Sequence, residues 1–178
     1  LSKGTKVGAP QYTVEELTAL IDEAHSRGLK VASHAHGAEG IINALIAGAD
    51  TIEHASFIDD EGIRLAIEND AALSMDIYVT EYILGEGASA GILEESLEKE
   101  RMTGATHRSN FRKAVEAGVT IVYGTDAGVY PHGQNAKQLS RMTHFGMTPL
   151  QALQSATTVA AEVMGLGYEV GKIEVGYA

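Results

Sequence analysis

The sequence predicts an α/β fold built on a parallel sheet, and we interpret that sheet as half of a (β/α)₈ barrel. Four predicted helices each end at a glycine or asparagine turn, and a short apolar strand follows each turn. The first three of these strands begin near residues 30, 51 and 71, a spacing that suits compact β/α units. Each strand is apolar along its length, as strands buried on both faces are.

The elements alternate in order along the chain. Residues 1–11 are glycine-containing and aperiodic, which predicts a loop. Thr13 is the predicted N-cap of the first helix and Gly28 its stop, while Thr148-Pro149 starts the last helix. The predicted strands are 29–33, 50–53, 71–79 and 119–123, and an insertion is predicted at 80–91. The later predicted helices are 39–47, 59–68, 94–117 with a break near Gly104, 135–145 and 148–164.

The polar residues favour a barrel over an open sheet. Barrel enzymes carry their chemistry at the carboxyl ends of several strands, whereas an open sheet more often has a glycine-rich phosphate loop. Neither a G-x-G-x-x-G nor a Walker motif occurs in the sequence. A full barrel takes about 250 residues, so four units supply half of one. Metal-binding or polar residues end each predicted strand: His34 and His36, His54, Asp76 or Tyr78, and Asp126.

Composition narrows the function classes. The 178 residues carry a net charge of −11, which argues against a nucleic-acid or anionic-membrane partner. No apolar run approaches the roughly 20 residues of a membrane-spanning helix. The absence of cysteine excludes thiol catalysis, so any metal must be held by His, Asp or Glu. A chain without disulfides suits the cytoplasm, although export stays open because Leu1 is not an initiator Met.

Three strand-end residues, His34, His54 and Asp126, form the predicted metal site. A metal that activates water is held by neutral imidazoles and carboxylates, with one position left open. The alternative is that each histidine is an ordinary core or rim residue. His34 and His36 point to the same side, so strand alternation does not distinguish them. We assign His34 to the metal because it is closer to the strand, and His36 to substrate or the transition state. Asp126 is predicted to be a metal ligand, a general base or both. The alternative is that Asp126 has no catalytic role and only forms a turn, where aspartate is common.

Other polar residues have weaker predicted roles. His132 either touches substrate or is an exposed loop histidine, and Tyr78 either donates to a substrate carboxylate or carbonyl or packs at the rim. Asp76, one alternation step back from Tyr78, is predicted in a deeper polar layer. Three histidines on predicted helices are interpreted as surface or packing residues: His25, His107 and His144.

Four motifs together resemble the second half of the amidohydrolase superfamily. The resemblance covers nearly the whole chain and is closest to the imidazolonepropionase-like group, which includes Xaa-Pro dipeptidases (prolidases) and ochratoxin-type amidases. The motifs are His34-Ala35-His36-Gly37, Asp50-Thr51-Ile52-Glu53-His54, Gly124-Thr125-Asp126-Ala127-Gly128, and Gly146-Met147-Thr148-Pro149-Leu150-Gln151-Ala152-Leu153.

The resemblance implies a TIM barrel with two divalent metals, usually zinc, in which this chain supplies strands 5–8. It places the family's fifth-strand His at His34, its sixth-strand His at His54 and its eighth-strand Asp, taken as the base, at Asp126. Residues 1–170 would be the C-terminal half of the barrel, and 171–178 would begin the return to a small β-sandwich domain. The first-strand His-x-His pair and the fourth-strand lysine are absent; Lys3 and Lys6 do not lie in a predicted strand and are not assigned to that role.

The expected function is hydrolysis of an amide or peptide bond in a dipeptide, such as Xaa-Pro, or an N-acyl amino acid. Asp126 would shuttle the proton, and His36 or His132 would orient the scissile carbonyl. One alternative is a cyclic amidase of the imidazolonepropionase type. The other is a non-catalytic, truncated half-barrel that pairs with a partner half. The expected partners are a small substrate and the rest of the barrel, and a homo-oligomer stays open.

Overall fold

The computed structural model describes residues 6–178, so the first five residues of the predicted N-terminal loop lie outside it. Residues 6–13 precede the first helix and form the expected loop. The strands are β1 Ala32–Ala35, β2 Thr51–His54, β3 Ala72–Ser74 and β4 Ile121–Val122. The helices are α1 Val14–His25, α2 Ala38–Ile46, α3 Asp60–Glu68, α4 Val79–Gly85, α5 Glu94–Ala117, α6 Lys137–His144, α7 Pro149–Ser155 and α8 Thr158–Val163.

The strands form one parallel sheet in the order β1-β2-β3-β4, which confirms the predicted parallel α/β arrangement. Each strand pairs with the next one in the chain, and its register places Ala35 beside His54 and Ser74 beside Val122. At least one helix lies between successive strands, as in the wall of a (β/α)₈ barrel. All four strands therefore point their carboxyl ends toward one edge, where the candidate site lies.

Local sequence signals set several helix ends as predicted. The Thr13 hydroxyl accepts a hydrogen bond from the Glu16 N–H at 3.2 Å, and the Glu16 carboxylate accepts one from the Thr13 N–H at 2.9 Å. The same capping box joins Thr148 and Gln151 at the start of α7. Gly118 ends α5 with a φ of 80°, a conformation that glycine adopts without a steric penalty.

The strand boundaries differ from the prediction. β1 begins three residues later than predicted, so His34 lies inside the strand rather than after it. β3 covers only Ala72–Ser74 instead of 71–79, because the chain turns at residues 75–78 and continues as α4. Residues 75–78 are as apolar and buried as a central strand, and an apolar run alone does not distinguish a buried turn from a strand.

Three helix predictions were wrong in detail. Part of the insertion at 80–91 is helical, as α4, and 148–164 forms two helices, α7 and α8, rather than one. α5 continues through Gly104 without the predicted break. A Cβ added to Gly104 would lie 2.4 Å from Thr80 Cγ2, so this glycine permits close packing of α4 on α5.

The core lies between the sheet and its helices and includes Ile41, Leu45, Ile52, Leu73 and Phe111, all completely buried. No helix among residues 6–178 is long and apolar enough to cross a bilayer. Residues 171–178 form turns in this structure and contain no strand. The β-sandwich return therefore remains a prediction.

Candidate metal centre

Three histidine rings meet at the carboxyl ends of β1 and β2. His34 lies in β1, His36 follows it directly, and His54 is the last residue of β2. The centroid of the His34 ring lies 4.9 Å from that of the His36 ring and 4.6 Å from that of the His54 ring. The His36 and His54 rings are stacked at 4.5 Å. One ring nitrogen of each histidine lies within 4.8 Å of the other two, a spacing that a single ion could bridge.

Hydrogen bonds to Nδ1 orient two of these rings. His36 Nδ1 lies 2.9 Å from the Ser56 hydroxyl, and His54 Nδ1 donates to Asp76 Oδ1 at 2.9 Å. Histidines that bind metals commonly use one ring nitrogen for the ion and the other for such a partner. Nε2 of both rings is therefore left for a ligand.

Desolvation, which is only partial at the exposed His34, keeps two of the imidazoles neutral. It lowers the pKa of His34, and it lowers the pKa of His36 to about 3; in both cases the neighbouring His54 adds to the effect. A neutral imidazole has a lone pair available for a metal, whereas a protonated one does not. Both rings are therefore in the protonation state that metal binding requires at neutral pH.

His54 forms a hydrogen-bonded pair with the buried Asp76. Burial alone would lower the pKa of His54, but its hydrogen bond to Asp76 and the charge of that carboxylate raise it. Burial alone would likewise raise the pKa of Asp76, which is only 4% exposed, but the contact with His54 lowers it. The carboxylate thus stays ionised and holds the proton of His54 on Nδ1.

Asp126 extends the cluster from the β4 side. A carboxylate oxygen of Asp126, one of Asp76 and a ring nitrogen of His54 all lie within 4.8 Å of one another. Burial and the nearby Asp76 charge raise the pKa of Asp126. Asp126 has a φ of 50°, and His54 and Ala55 have φ values of 69° and 50°. Such angles are uncommon outside glycine and concentrate at functional sites.

Tyr78 and His132, the two other predicted substrate residues, have different surroundings. The Tyr78 hydroxyl donates to Gln134 Oε1 at 3.2 Å, and its ring packs edge-on against Tyr130 with centroids 5.1 Å apart. His132 is exposed on the loop after β4. His132 does not belong to either group of potential ligands found among residues 6–178.

A cavity of about 390 Å³ opens beside the histidines, lined by His34, His36 and the loop before α1. Lys6 and Tyr12 contribute to its wall. The loop backbone passes close to Gly37, where an added Cβ would lie 2.1 Å from the Gly8 carbonyl oxygen. Gly37 therefore lets the loop approach the end of β1 and form one wall of the cavity.

Comparison with known proteins identifies the family. The amidohydrolase family model matches residues 2–178. The chain belongs to the amidohydrolase family. Solved relatives with this arrangement are TIM-barrel hydrolases, which confirms that the four units observed here are part of a (β/α)₈ barrel.

Three relatives illustrate where this amidohydrolase chain lies within the family. A crystal structure of a Xaa-Pro dipeptidase with methionine bound in its active site is 40% identical, with a TM-score of 0.88 over 94% of this chain and 42% of that chain. Ochratoxinase of Aspergillus niger is 32% identical over 99% of this chain and 37% of its own length. Imidazolonepropionase of Geobacillus sp. (strain WCH70) is 27% identical over 93% and 35%. The chain thus spans about two fifths of these relatives, and the predicted resemblance is confirmed.

Amidohydrolases are metal-dependent, and the residues present fit a divalent ion. The donors are imidazole nitrogens and carboxylate oxygens, the ligand types that zinc accepts in proteins without cysteine. His54 belongs to both groups of potential ligands, one with His34 and His36 and the other with Asp76 and Asp126. Because Asp76 holds the proton on His54 Nδ1, only Nε2 has a free lone pair, and His54 can bind one ion of either group.

The sequence prediction missed three residues around this amidohydrolase site. His107 was interpreted as a surface or packing residue, but its ring is buried on α5, hydrogen-bonds to the His54 backbone and interacts with the Asp76 charge. Burial lowers its pKa, and its Nε2 has no partner among the described residues. Ser56 and Gln138 were not singled out at all. Helical periodicity places His107 on α5 but does not say which strand end it faces. By contrast, His25 bonds to Asp50 and His144 is exposed, as expected.

Proposed function

We propose that the complete protein is a metal-dependent hydrolase that cleaves an amide or peptide C–N bond. The observation that carries this proposal is the meeting of His34, His36, His54 and Asp126 at one edge of a half barrel in an amidohydrolase chain. In barrel enzymes this edge holds the chemistry.

His34 and His54 would hold metal through ring nitrogens, and Asp126 through a carboxylate oxygen. We propose two divalent ions, with zinc as the first candidate; when bound, they supply Lewis acidity and lower the pKa of coordinated water. The remaining ligands would come from parts of the protein outside these residues.

Asp126 would move the proton. Its raised pKa suits a carboxylate that accepts a proton from the attacking water at a carboxylate oxygen and then releases it. A C–O bond forms at the scissile carbonyl, the C–N bond breaks, and the same proton passes from Asp126 to the departing amine nitrogen. The products are a carboxylic acid and an amine.

His36 would orient the substrate. When the Ser56 hydroxyl donates to Nδ1, the His36 proton lies on Nε2, which can donate to the scissile carbonyl oxygen. The low pKa of His36 keeps the ring neutral, so it contributes a directed hydrogen bond rather than a charge. His132 and Tyr78 are proposed as outer substrate contacts. His132 is also the alternative to His36 as donor to the scissile carbonyl oxygen.

The proposed substrates are dipeptides such as Xaa-Pro or N-acyl amino acids. The similarity to a Xaa-Pro dipeptidase and to ochratoxinase supports this choice. A cyclic amide is the second candidate, and the weaker similarity to imidazolonepropionase favours it.

Asp126→Asn in the full-length, zinc-loaded protein tests the proposal. Asparagine tolerates the positive φ at this position, so the fold should persist, while kcat on a panel of dipeptides and N-acyl amino acids should fall about 10²–10⁴-fold. Unchanged turnover would remove Asp126 from the mechanism. No turnover by wild type, together with less than one zinc per chain, would favour a non-catalytic half-barrel.

A further inference from the structure

The chain that follows β3 is buried but has left the sheet. β3 ends at Ser74, and the next four residues, 75–78, are all buried: Met75 and Ile77 are completely inaccessible, and Asp76 is 4% exposed. Buried peptide groups outside a ladder need other hydrogen-bond partners, since an unpaired one costs free energy. Neither strand next to β3 pairs with them, because β2 pairs only with residues 72–74 and β4 only with residues 73–74.

The side chain of Gln138 supplies two of these hydrogen bonds. Its Nε2 donates to the Met75 carbonyl oxygen at 2.7 Å, and its Oε1 accepts from the Tyr78 N–H at 2.8 Å. Gln138 lies in the first turn of α6 and is completely buried. Its amide spans the turn at 75–78 and bonds to both ends of it.

This pattern requires an amide. One side chain must donate to a carbonyl and accept from an N–H at the same time, which glutamine does and a hydrocarbon of equal size does not. The two bonds also join distant parts of the chain, since Gln138 follows β4 whereas Met75 and Tyr78 follow β3. The turn is therefore fixed from outside its own strand.

The turn carries the group that orients His54. Asp76 lies between the two bonded residues, and its Oδ1 accepts from His54 Nδ1 at 2.9 Å. Because the Asp76 side chain is short and enclosed, the position of its carboxylate follows the position of its backbone. A displaced turn would therefore move the carboxylate away from the His54 ring.

We propose that Gln138 is a positioning residue for the metal ligand His54, acting through the turn at 75–78 and the Asp76 carboxylate. It touches neither substrate nor metal. The role rests on the proposed function, because it assumes that His54 binds an ion. Its direct consequence, a single orientation and tautomer of the His54 ring, does not depend on catalysis.

Gln138→Met in the full-length protein tests this role. Methionine has a similar size but forms neither bond. Zinc affinity, measured by competition with a chelator, should fall about 10-fold or more, the usual cost of losing support for a metal-bound histidine. In the metal-free protein, long-range ¹H–¹⁵N spectra of the imidazoles should show that His54 no longer holds its proton on Nδ1 alone.

Ser155→Ala is the matched control. Ser155 is also buried, but its hydroxyl bonds to the Ala152 carbonyl within its own helix. This variant should lower the free energy of unfolding while leaving zinc affinity and the His54 spectrum unchanged. Should Gln138→Met fail to fold, Gln138→Asn, whose amide is one methylene too short to span the turn, is compared with the same control.

A double-mutant cycle with Asp76→Asn identifies the route. If Gln138 acts through Asp76, the double variant should lose no more zinc affinity than Asp76→Asn alone. Fully additive losses, or a Gln138→Met protein that matches Ser155→Ala in both measurements, would overturn the proposal. If wild type binds no zinc, the proposed function fails, and the tautomer of His54 still decides the role of Gln138.

Discussion

The ends of β1 and β3 flank the end of β2, yet they are fixed in different ways. His34, at the β1 end, is exposed; its ring contacts the other imidazoles and forms no hydrogen bond with side chains of the described residues. Asp76, at the β3 end, is buried, bonds to His54 and lies in a turn held by Gln138. The site is therefore preorganised on the β3 side and open at the β1 edge of the sheet.

The largest expected effect is on zinc binding, and it distinguishes His54 from His34 at the open β1 edge. His54→Ala removes the ligand shared by both groups, so zinc binding by the full-length protein should be lost, whereas His34→Ala should leave the Asp126 group intact and retain part of the zinc. Zinc per chain after dialysis measures the difference. Equal loss from the two variants would break the comparison.

A smaller effect is expected from the support of His54. Asp76→Asn removes the carboxylate that fixes the ring, and zinc affinity should fall about 10–100-fold. Asp50→Asn is the control, because Asp50 also accepts from a histidine, His25, but at the other end of β2. A similar loss of affinity in both variants would argue for general destabilisation instead.

His36→Gln tests the open side. It should lower kcat about 10–100-fold while zinc content stays at the wild-type level, because we assign this ring to the substrate carbonyl. Steady-state kinetics and metal analysis of the same sample measure both quantities. Loss of zinc would instead make His36 a ligand.

A separate effect, on stability rather than on zinc binding or catalysis, is a pH dependence of the metal-free protein. His36 has a folded pKa of about 3, below the ordinary value of 6.5, so the unfolded state binds the extra proton first. The stabilisation is complete above pH 6.5 and declines as the pH falls from there toward 3. Denaturant titrations should show a shallower decline for His36→Gln than for wild type, and the exposed His144→Gln should match wild type.

Much of this arrangement could be predicted because strand order and strand ends are encoded locally. Apolar runs bounded by Gly28, Gly48 and Gly118 identify strands, and parallel strands bring their carboxyl ends to one edge. That reasoning was enough to single out His34, His54 and Asp126, and the structure brings these residues into two adjoining groups.

The supporting residues could not be predicted, because their roles depend on contacts between distant segments. Nothing in the local pattern around Gln138 indicates that its amide faces Met75, 63 residues away. The same holds for His107, whose helix shows a polar pattern that gives no sign of a buried site. Residues 75–78 were predicted to belong to a strand because they are mostly apolar. Their apolar character reflects burial, which a turn can share with a paired strand.

The order of the sheet also bears on how the site assembles during folding. Residues 36–50 separate β1 from β2, whereas residues 75–120 separate β3 from β4. Closing the longer loop costs about 1 kcal/mol more in chain entropy, and non-local pairings form more slowly. We expect β1 and β2, with all three imidazoles, to pair before β4 docks. The imidazoles would then come together first, and the carboxylate of Asp126 would arrive in the slowest step.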